Sequence, residues 1–440
     1  MRLPSSSRAP ALPAAFLLAA ATACATQAPG GATSTNTAGG AAADAAPTFY
    51  ADVLPVLQEN CQVCHTEHGL NLGGMVAPVA FTSYEVTARW APRMARAVET
   101  GRMPPWHAAE RHVGQFSNER VLSDEDAATI IAWARAGAPA GDPALAPEPV
   151  DFSTNRSGWS IGEPDLIVEL PEAYLVHDTI QDQYIDFEVT IPEDQLPEDR
   201  WIKAVEFRGG SSAVHHVIAS PLGGIAPGVG PRVYPDGLGT VLRKGTTVRF
   251  NMHYHKEPGE GTAVWDRTQA AIVFYEPGEV IEHVVRGEDL GMFRFRIPPN
   301  DPDYSFKAEY TFERDAKIVW LLPHMHLRGK SALYEITYPD QRTDTLLHVP
   351  EYDFNWQHTY TFADPVLAPA GTRIDLTLWW DNSVANPANP NPDREVGWGR
   401  PTTDEMGYGF MSFIEVEPRR FVVGEPIPED LLRSGSGGNR

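Results

Sequence analysis

Three close histidine pairs, His215-His216, His253-Tyr254-His255 and His324-Met325-His326, hold six of the 14 histidines of this 440-residue chain, and a Cys61-Gln62-Val63-Cys64-His65 run stands upstream of them. The C-x-x-C-H run attaches a c-type haem: the two thiols form thioethers to the porphyrin, and the histidine ligates iron from one side. The paired imidazoles point to a second kind of metal. On a strand, residues i and i+2 project from one face, so His-x-His aims two imidazoles at one point. Adjacent histidines face opposite ways, so His215 and His216 can share an ion only at a bulge or a strand end.

His65 supplies one axial ligand to the single expected haem, and a methionine or a second histidine must supply the other. Met103 is the expected one. Two prolines stiffen its loop, Gly101-Arg102-Met103-Pro104-Pro105-Trp106, so the thioether has fixed reach without a helix or strand to carry it. Met75, Met94 and His107 compete for the role. The chain has only three cysteines, so no second cysteine pair completes a zinc site. With Cys61 and Cys64 committed to haem, no structural disulfide is possible.

The elements that must hold these residues change character along the chain. Its length suggests a multidomain protein, and 39 prolines with 42% hydrophobic residues suit loops and short strands better than a helical bundle. Residues 1–24 read as a secretory signal: Arg2 and Arg8, a short apolar run from about Ala11 to Ala21, then small residues. Ala21-Thr22-Ala23-Cys24 is also similar to a bacterial lipoprotein cleavage site. Cleavage before Cys24 with lipidation and ordinary cleavage beyond it both stay open. The mature chain is expected outside the cytoplasm, in the periplasm or as an outer-membrane lipoprotein of a bacterium, with membrane attachment only through a lipid on Cys24. Residues 25–48 lack anything to bury and read as a tether.

From 49 to 141 the pattern is helical. Phe49, Val53, Val56 and Leu57 share a face leading into the haem motif. Ser123 reads as an N-cap before Asp124, Glu125 and Asp126, with Gly137 at the helix end. This is the small all-α cytochrome c domain, followed by a proline-rich linker at 142–164. Beyond it, alternating and β-branched runs such as Asp165–Leu170, Tyr184–Thr190, Ala270–Tyr275 and Ile374–Trp379 predict antiparallel sandwiches. Two all-β domains are placed at 165–290 and 291–425, with a tail at 426–440. The net charge of −23 argues against nucleic acid as a partner, because phosphate binding needs a Lys/Arg-rich surface.

Over residues 165–425 the chain resembles the copper type II, ascorbate-dependent monooxygenases, the family of the peptidylglycine α-hydroxylating and dopamine β-hydroxylating enzymes. The family's adjacent His-His is similar to His215-His216 and its later His-Tyr to His253-Tyr254. Its His-Thr-His-x-Leu-Gly-Lys resembles His324-Met325-His326-Leu327-Arg328-Gly329-Lys330, and its Asp-Glu-Met resembles Asp404-Glu405-Met406. The resemblance implies two tandem jelly rolls and two coppers. An electron-transfer copper would sit on His215, His216 and His253, and an oxygen-activating copper on His324, His326 and Met406. Methionine sulfur suits Cu(I), whereas zinc and hard cations seldom take it. His255 has no counterpart in the family motif, and its role stays open between auxiliary and substitute ligand.

The expected function is hydroxylation of a C–H bond in a small organic substrate with O₂. Electrons would pass through the fused haem from ascorbate or a redox protein. The family's peptide-amidating member grips a substrate carboxylate with an arginine and a tyrosine, where this chain has Leu322 and Phe410. A glycine-extended peptide is therefore not the expected substrate. Two other readings compete: an exported haem and copper electron-transfer or copper-handling lipoprotein without oxygenase activity, and a zinc hydrolase built on the histidine pairs.

Overall fold

The computed structural model describes residues 46–67, 69–150 and 158–433. The signal segment, Cys24 and most of the expected tether lie outside the described residues. The protein is mostly β, with few helices. No helix among the described residues is long and apolar enough to cross a membrane.

The helices come first. A short π-helical turn, Phe49–Val53, runs into Leu54–Asn60, and two longer helices follow, Tyr84–Glu99 and Asp124–Arg135. Ser123 caps the last one as its sequence suggests: its Oγ accepts from the Asp126 N–H at 3.1 Å, and three acidic residues fill the first turn, where they meet the positive end of the helix dipole. Phe49, Val53, Leu57, Met94, Ile130 and Trp133 bury one another in a core of their own.

Among the described residues, the longer strands form two pairs of sheets, with three two-stranded ribbons beside them. In the first β-region, Leu166–Glu169, Gln269–Phe274, Arg200–Arg208, Leu238–Leu242 and His283–Val284 follow one another across one sheet. The facing sheet runs Asp182–Thr190, Thr247–His255, Val214–Ser220, Gly223–Ile225. Val168, Val205, Phe207 and Ile272 from the first and Val217, Phe250 and Met252 from the second share one core.

In the second β-region, Arg286–Gly291, Gly407–Glu415, Ala316–Met325 and Tyr360–Ala368 make one sheet. The other is Tyr304–Thr311, Arg373–Trp380, Gly329–Thr337 and Thr343–Val349. The alternating exposure of Tyr304–Thr311 follows from a pleated strand with one face on a core. The neighbouring Arg373–Trp380 is buried on nearly every residue.

Three boundaries differ from those expected. The second sheet system begins with Arg286–Gly291, hydrogen-bonded to Gly407–Glu415, so it starts ahead of residue 291. The start of the expected tail is anchored: Phe421–Val422, at the end of the expected second β-domain, pairs back with Val280–Ile281, and Leu431 beyond it is buried beside Trp201 and Tyr275. The helical segment also does not stop at its own core. Residues 106–118 run onto the second β-region, where Phe116 joins its core with Trp106 packed against it. Ala109 N–H donates to the His348 carbonyl at 2.8 Å, Ser117 N–H to Thr361 at 2.8 Å, and Ala363 N–H to Gln115 at 2.9 Å. An irregular arm whose polar and aromatic residues pair with a distant strand has no local periodicity to announce it.

The helical segment touches the first β-region as well, through Gly228 N–H donating to the Leu72 carbonyl at 2.9 Å. At Gly73, with φ +63°, an added Cβ would lie 1.9 Å from the Ala226 carbonyl oxygen, so only glycine permits this approach.

Candidate metal centres

His215 and His216 stand at the start of the Val214–Ser220 strand, where the pairing with Thr247–His255 shifts register between Val214 and His216. This is the bulge that adjacent histidines need in order to face one point. His253 lies opposite His216 on the neighbouring strand. The Nδ1 atoms of His216 and His253 are 3.1 Å apart, and those of His215 and His216 are 3.5 Å apart. Metal–imidazole bonds of about 2.0 Å would set ligand nitrogens on one ion roughly 3.3–3.5 Å apart, so the three rings are spaced as ligands of a common ion.

The tautomer agrees. The Nε2–H of His253 donates to Asp182, which leaves a lone pair on its Nδ1, the arrangement of a carboxylate–histidine–metal triad. Tyr184 stacks on the same ring at 4.1 Å, nearly parallel.

His255 lies outside this trio. Its ring is more exposed, and its Nδ1 is 3.8 Å from Asp182. Asp182, His253 and His255 make an alternative set of metal-capable groups, which would draw on the other nitrogen of His253.

His324 lies near the end of the Ala316–Met325 strand and His326 just beyond it, so both histidines project from one face with ring centroids 5.4 Å apart. His324 Nδ1–H donates to Gln357 Oε1 at 2.6 Å, and His326 Nδ1–H to the Asp404 carbonyl at 3.3 Å. Both bonds fix the tautomer that turns an Nε2 lone pair outward. His326 Nε2 is buried with no partner.

The strand pairing matches Met325 with Gly407 and His324 with Tyr408. The ladder ends there, and the half-buried Met406 is the residue just before Gly407, as His326 is the one just after Met325. Glu405 locks this corner: fully buried, it accepts from the His326 and Arg328 backbone N–H groups and from Trp380 Nε1. Burial pushes its carboxyl up to about 8 against those hydrogen bonds and Arg328.

The two clusters meet. His216 and His324 have ring centroids 6.5 Å apart, and Phe354 stacks on His215 at 4.6 Å while its edge faces His326 at 5.9 Å. Burial, then the neighbouring histidines, push His215 down to about 3 and His216 and His326 well below the ordinary range. Burial also lowers His324 and His253, the latter against its bond to Asp182. These rings are therefore neutral near pH 7, the form that binds metal. Leu322 and Phe410, where the peptide-amidating pattern carries its gripping groups, lie directly opposite each other on paired strands. Phe410 is stacked parallel to Tyr408.

In the helical segment, Cys61 and Cys64 are free thiols in a turn closed by His65 N–H donating to the Cys61 carbonyl at 2.9 Å. Burial pushes the Cys61 thiol up to about 12. His65 Nδ1–H donates to the Val79 carbonyl at 2.9 Å, and the ring stacks on Phe81 at 4.5 Å. Its Nε2 thus carries the lone pair, as an iron ligand must. Met103 sits in an exposed loop, 36% accessible. Met94 is packed in the helical core, and Met75 and His107 are half-buried.

Sequence reading missed Asp182, Gln357, Tyr184 and Phe354. The alternation in Asp182-Gln183-Tyr184 hints at a functional face for the first. A lone Gln357 and a lone Phe354 carry no comparable signal.

No protein-family description matches the chain, and no curated protein does. Among solved structures, it is similar to the major capsid protein P2 from bacteriophage PM2, at 8% identity and TM-score 0.26, covering 57% of this chain and 97% of that one. A turret protein of Sulfolobus turreted icosahedral virus shows 12% identity and TM-score 0.14 over 56% of this chain and 98% of that one. The infectious bursal disease virus VP2 subviral particle shows 11% identity and TM-score 0.17 over 59% and 84%. Superpositions this loose carry no argument about function.

Proposed function

We propose that the chain is an exported copper-dependent monooxygenase that hydroxylates a C–H bond of a small organic substrate, with electrons entering through a c-type haem on the helical segment. In this reading the helical segment is a cytochrome c domain and the two pairs of sheets are tandem jelly rolls. The observation that carries the proposal is the convergence of five neutral imidazoles from two β-regions, three of them spaced for one ion and three, His253, His324 and His326, held in one tautomer by a hydrogen bond.

His215, His216 and His253 would hold one copper through Nδ1; His324, His326 and Met406 would hold the other; Cys61, Cys64 and His65 would hold the haem. When bound, these groups supply O₂ reduction by two electrons, so that one oxygen atom enters the substrate C–H bond and the other leaves as water with two protons. The chain's own part is to bind and orient. Asp182 keeps the His253 lone pair on Nδ1, and Gln357 and the Asp404 carbonyl keep those of His324 and His326 on Nε2. Glu405 fixes the backbone between these ligands. Leu322, Phe410 and Tyr408 offer an apolar and aromatic surface beside His324, which suits a substrate without a carboxylate at that point.

The test is metal analysis and oxygen uptake on protein made in a host able to attach haem. The expected outcome is two coppers and one covalent haem per chain, with substrate-dependent O₂ consumption that Met406→Ala abolishes while one copper stays bound. One copper per chain, zinc at both sites, or near-full hydroxylation by Met406→Ala would sink the reading. Two coppers without oxygen uptake would favour an electron-transfer protein.

A further inference from the structure

Outside the two clusters, three side chains at the meeting point of the helical segment and both β-regions have buried nitrogens with no hydrogen-bond partner: Arg120 Nη1, His107 Nδ1 and His358 Nε2. His358 is 2% exposed. Its ring lies 5.7 Å from His107, 5.7 Å from Trp106 and 5.8 Å from Trp356, and the Gly228 and Pro105 backbones are close enough to act on it although neither makes a well-formed hydrogen bond to Nε2. Arg120 makes no ion pair among the described residues, and its charge acts on both His358 and Cys64.

A guanidinium stays protonated in any protein, and leaving it half-buried with its Nη1 closed off from bulk solvent and from any partner is unfavourable. Water could satisfy the three donors but could not neutralise the charge. The chemistry calls for an anion with several acceptor oxygens, which is what a carboxylate offers to a guanidinium fork and two imidazoles. Arg120 stands within electrostatic reach of the thiol expected to carry the porphyrin. A porphyrin fixed by thioethers along one side must place its two carboxylates elsewhere.

We propose that Arg120, His107 and His358 form the seat for the carboxylates of the covalently held porphyrin. The inference rests on the haem reading above. It gives the ring a fixed orientation, with its acidic edge against the junction and away from solvent. It also joins the two redox sites through one rigid segment, because His358 is the residue after Gln357, whose Oε1 holds His324 Nδ1 at 2.6 Å. Arg120 acts as a positioning residue, neutralising carboxylate charge that would otherwise favour ferric iron.

The experiment uses the full-length, haem-loaded protein and its Arg120→Gln, Arg120→Lys and His358→Phe variants. Covalent haem is counted by the pyridine haemochrome, the midpoint potential is read by spectroelectrochemistry, and the porphyrin carboxylate bending modes are read by resonance Raman. Arg120→Gln should keep its haem yet shift the ferric/ferrous equilibrium about tenfold toward ferric, about 59 mV for one electron, and move the carboxylate modes. Arg120→Lys should recover most of the potential, which a merely structural role would not predict.

His358→Phe should move the same modes and leave the axial-ligand spectrum unchanged; a changed axial spectrum would make His358 an iron ligand and overturn the seat. Haem-loaded Arg120→Gln with wild-type potential and modes would overturn it as well. If Arg120→Gln does not accumulate, the unmutated protein decides: modes that shift in D₂O support hydrogen-bonded carboxylates, and unshifted modes refute them. A wild-type chain carrying no covalent haem would instead remove the haem reading itself.

Discussion

The His215/His216/His253 cluster and the His324/His326 pair are both built from imidazoles at strand ends, yet they are supported in opposite ways. Behind the first stands an ionised carboxylate: burial pushes Asp182 up, but the hydrogen bond from His253 and the charge of His255 3.8 Å away outweigh it and hold the group below the ordinary carboxylate range. Behind the second stand neutral acceptors, the Gln357 amide and the Asp404 carbonyl, and the proposed third ligand there is a thioether. A carboxylate behind an imidazole raises its basicity and favours a more highly charged ion, whereas neutral support and sulfur favour the softer, less charged state. On the proposed copper reading, the difference would let one fold set two sites apart in redox preference through the atoms one bond behind the ligands.

The sharpest way to break this comparison is to remove one ligand from each side. His326→Ala should lose one copper equivalent and lower hydroxylation by more than the roughly 100-fold that an outer-shell partner costs, while His216→Ala should lose the other equivalent. Atomic absorption on both variants decides; loss of both coppers from either would mean that the 6.5 Å approach of His216 and His324 makes a single, interdependent centre. Next in size is the frame of the second pair. Glu405→Ala leaves three N–H donors and the buried Arg328 without their acceptor, so denaturant unfolding should show a loss of about 3–5 kcal/mol. A loss below about 1 kcal/mol, the range of ordinary surface changes, would show that the corner holds without it.

The smallest effect sharpens the contrast. Asp182→Asn should weaken copper at the first site by roughly 10–100-fold and raise its reduction potential. Gln357→Met should weaken the second site less, because only a neutral hydrogen bond is lost. Competitive chelation titrations compare the two, and equal losses would remove the distinction between charged and neutral support.

Much of the β character was legible. The alternation of Tyr184–Thr190 and the run Ile374–Trp379 announced their strands, and the Ser123 cap was found at its residue. The need for a bulge at His215-His216 followed from the geometry of a strand alone. The arm at 106–118 was not legible, because Trp106 and Phe116 pair with Tyr360 and Phe362 far along the chain. The same holds for Asp182, Gln357 and Phe354, each supporting a histidine more than 25 residues away.

By itself the sequence determined the donor chemistry: which imidazoles, thiols and thioether exist, and which can share a face, because strand periodicity is a local property of the backbone. Only the tertiary structure decided which of these donors meet, which nitrogen is free on His65, His253, His324 and His326, and that a half-buried Arg120 acts on His358 at the junction of three regions. Those outcomes depend on contacts between residues distant in the chain. Burial and hydrogen-bond partners, which set tautomer and charge, exist only once such contacts have formed.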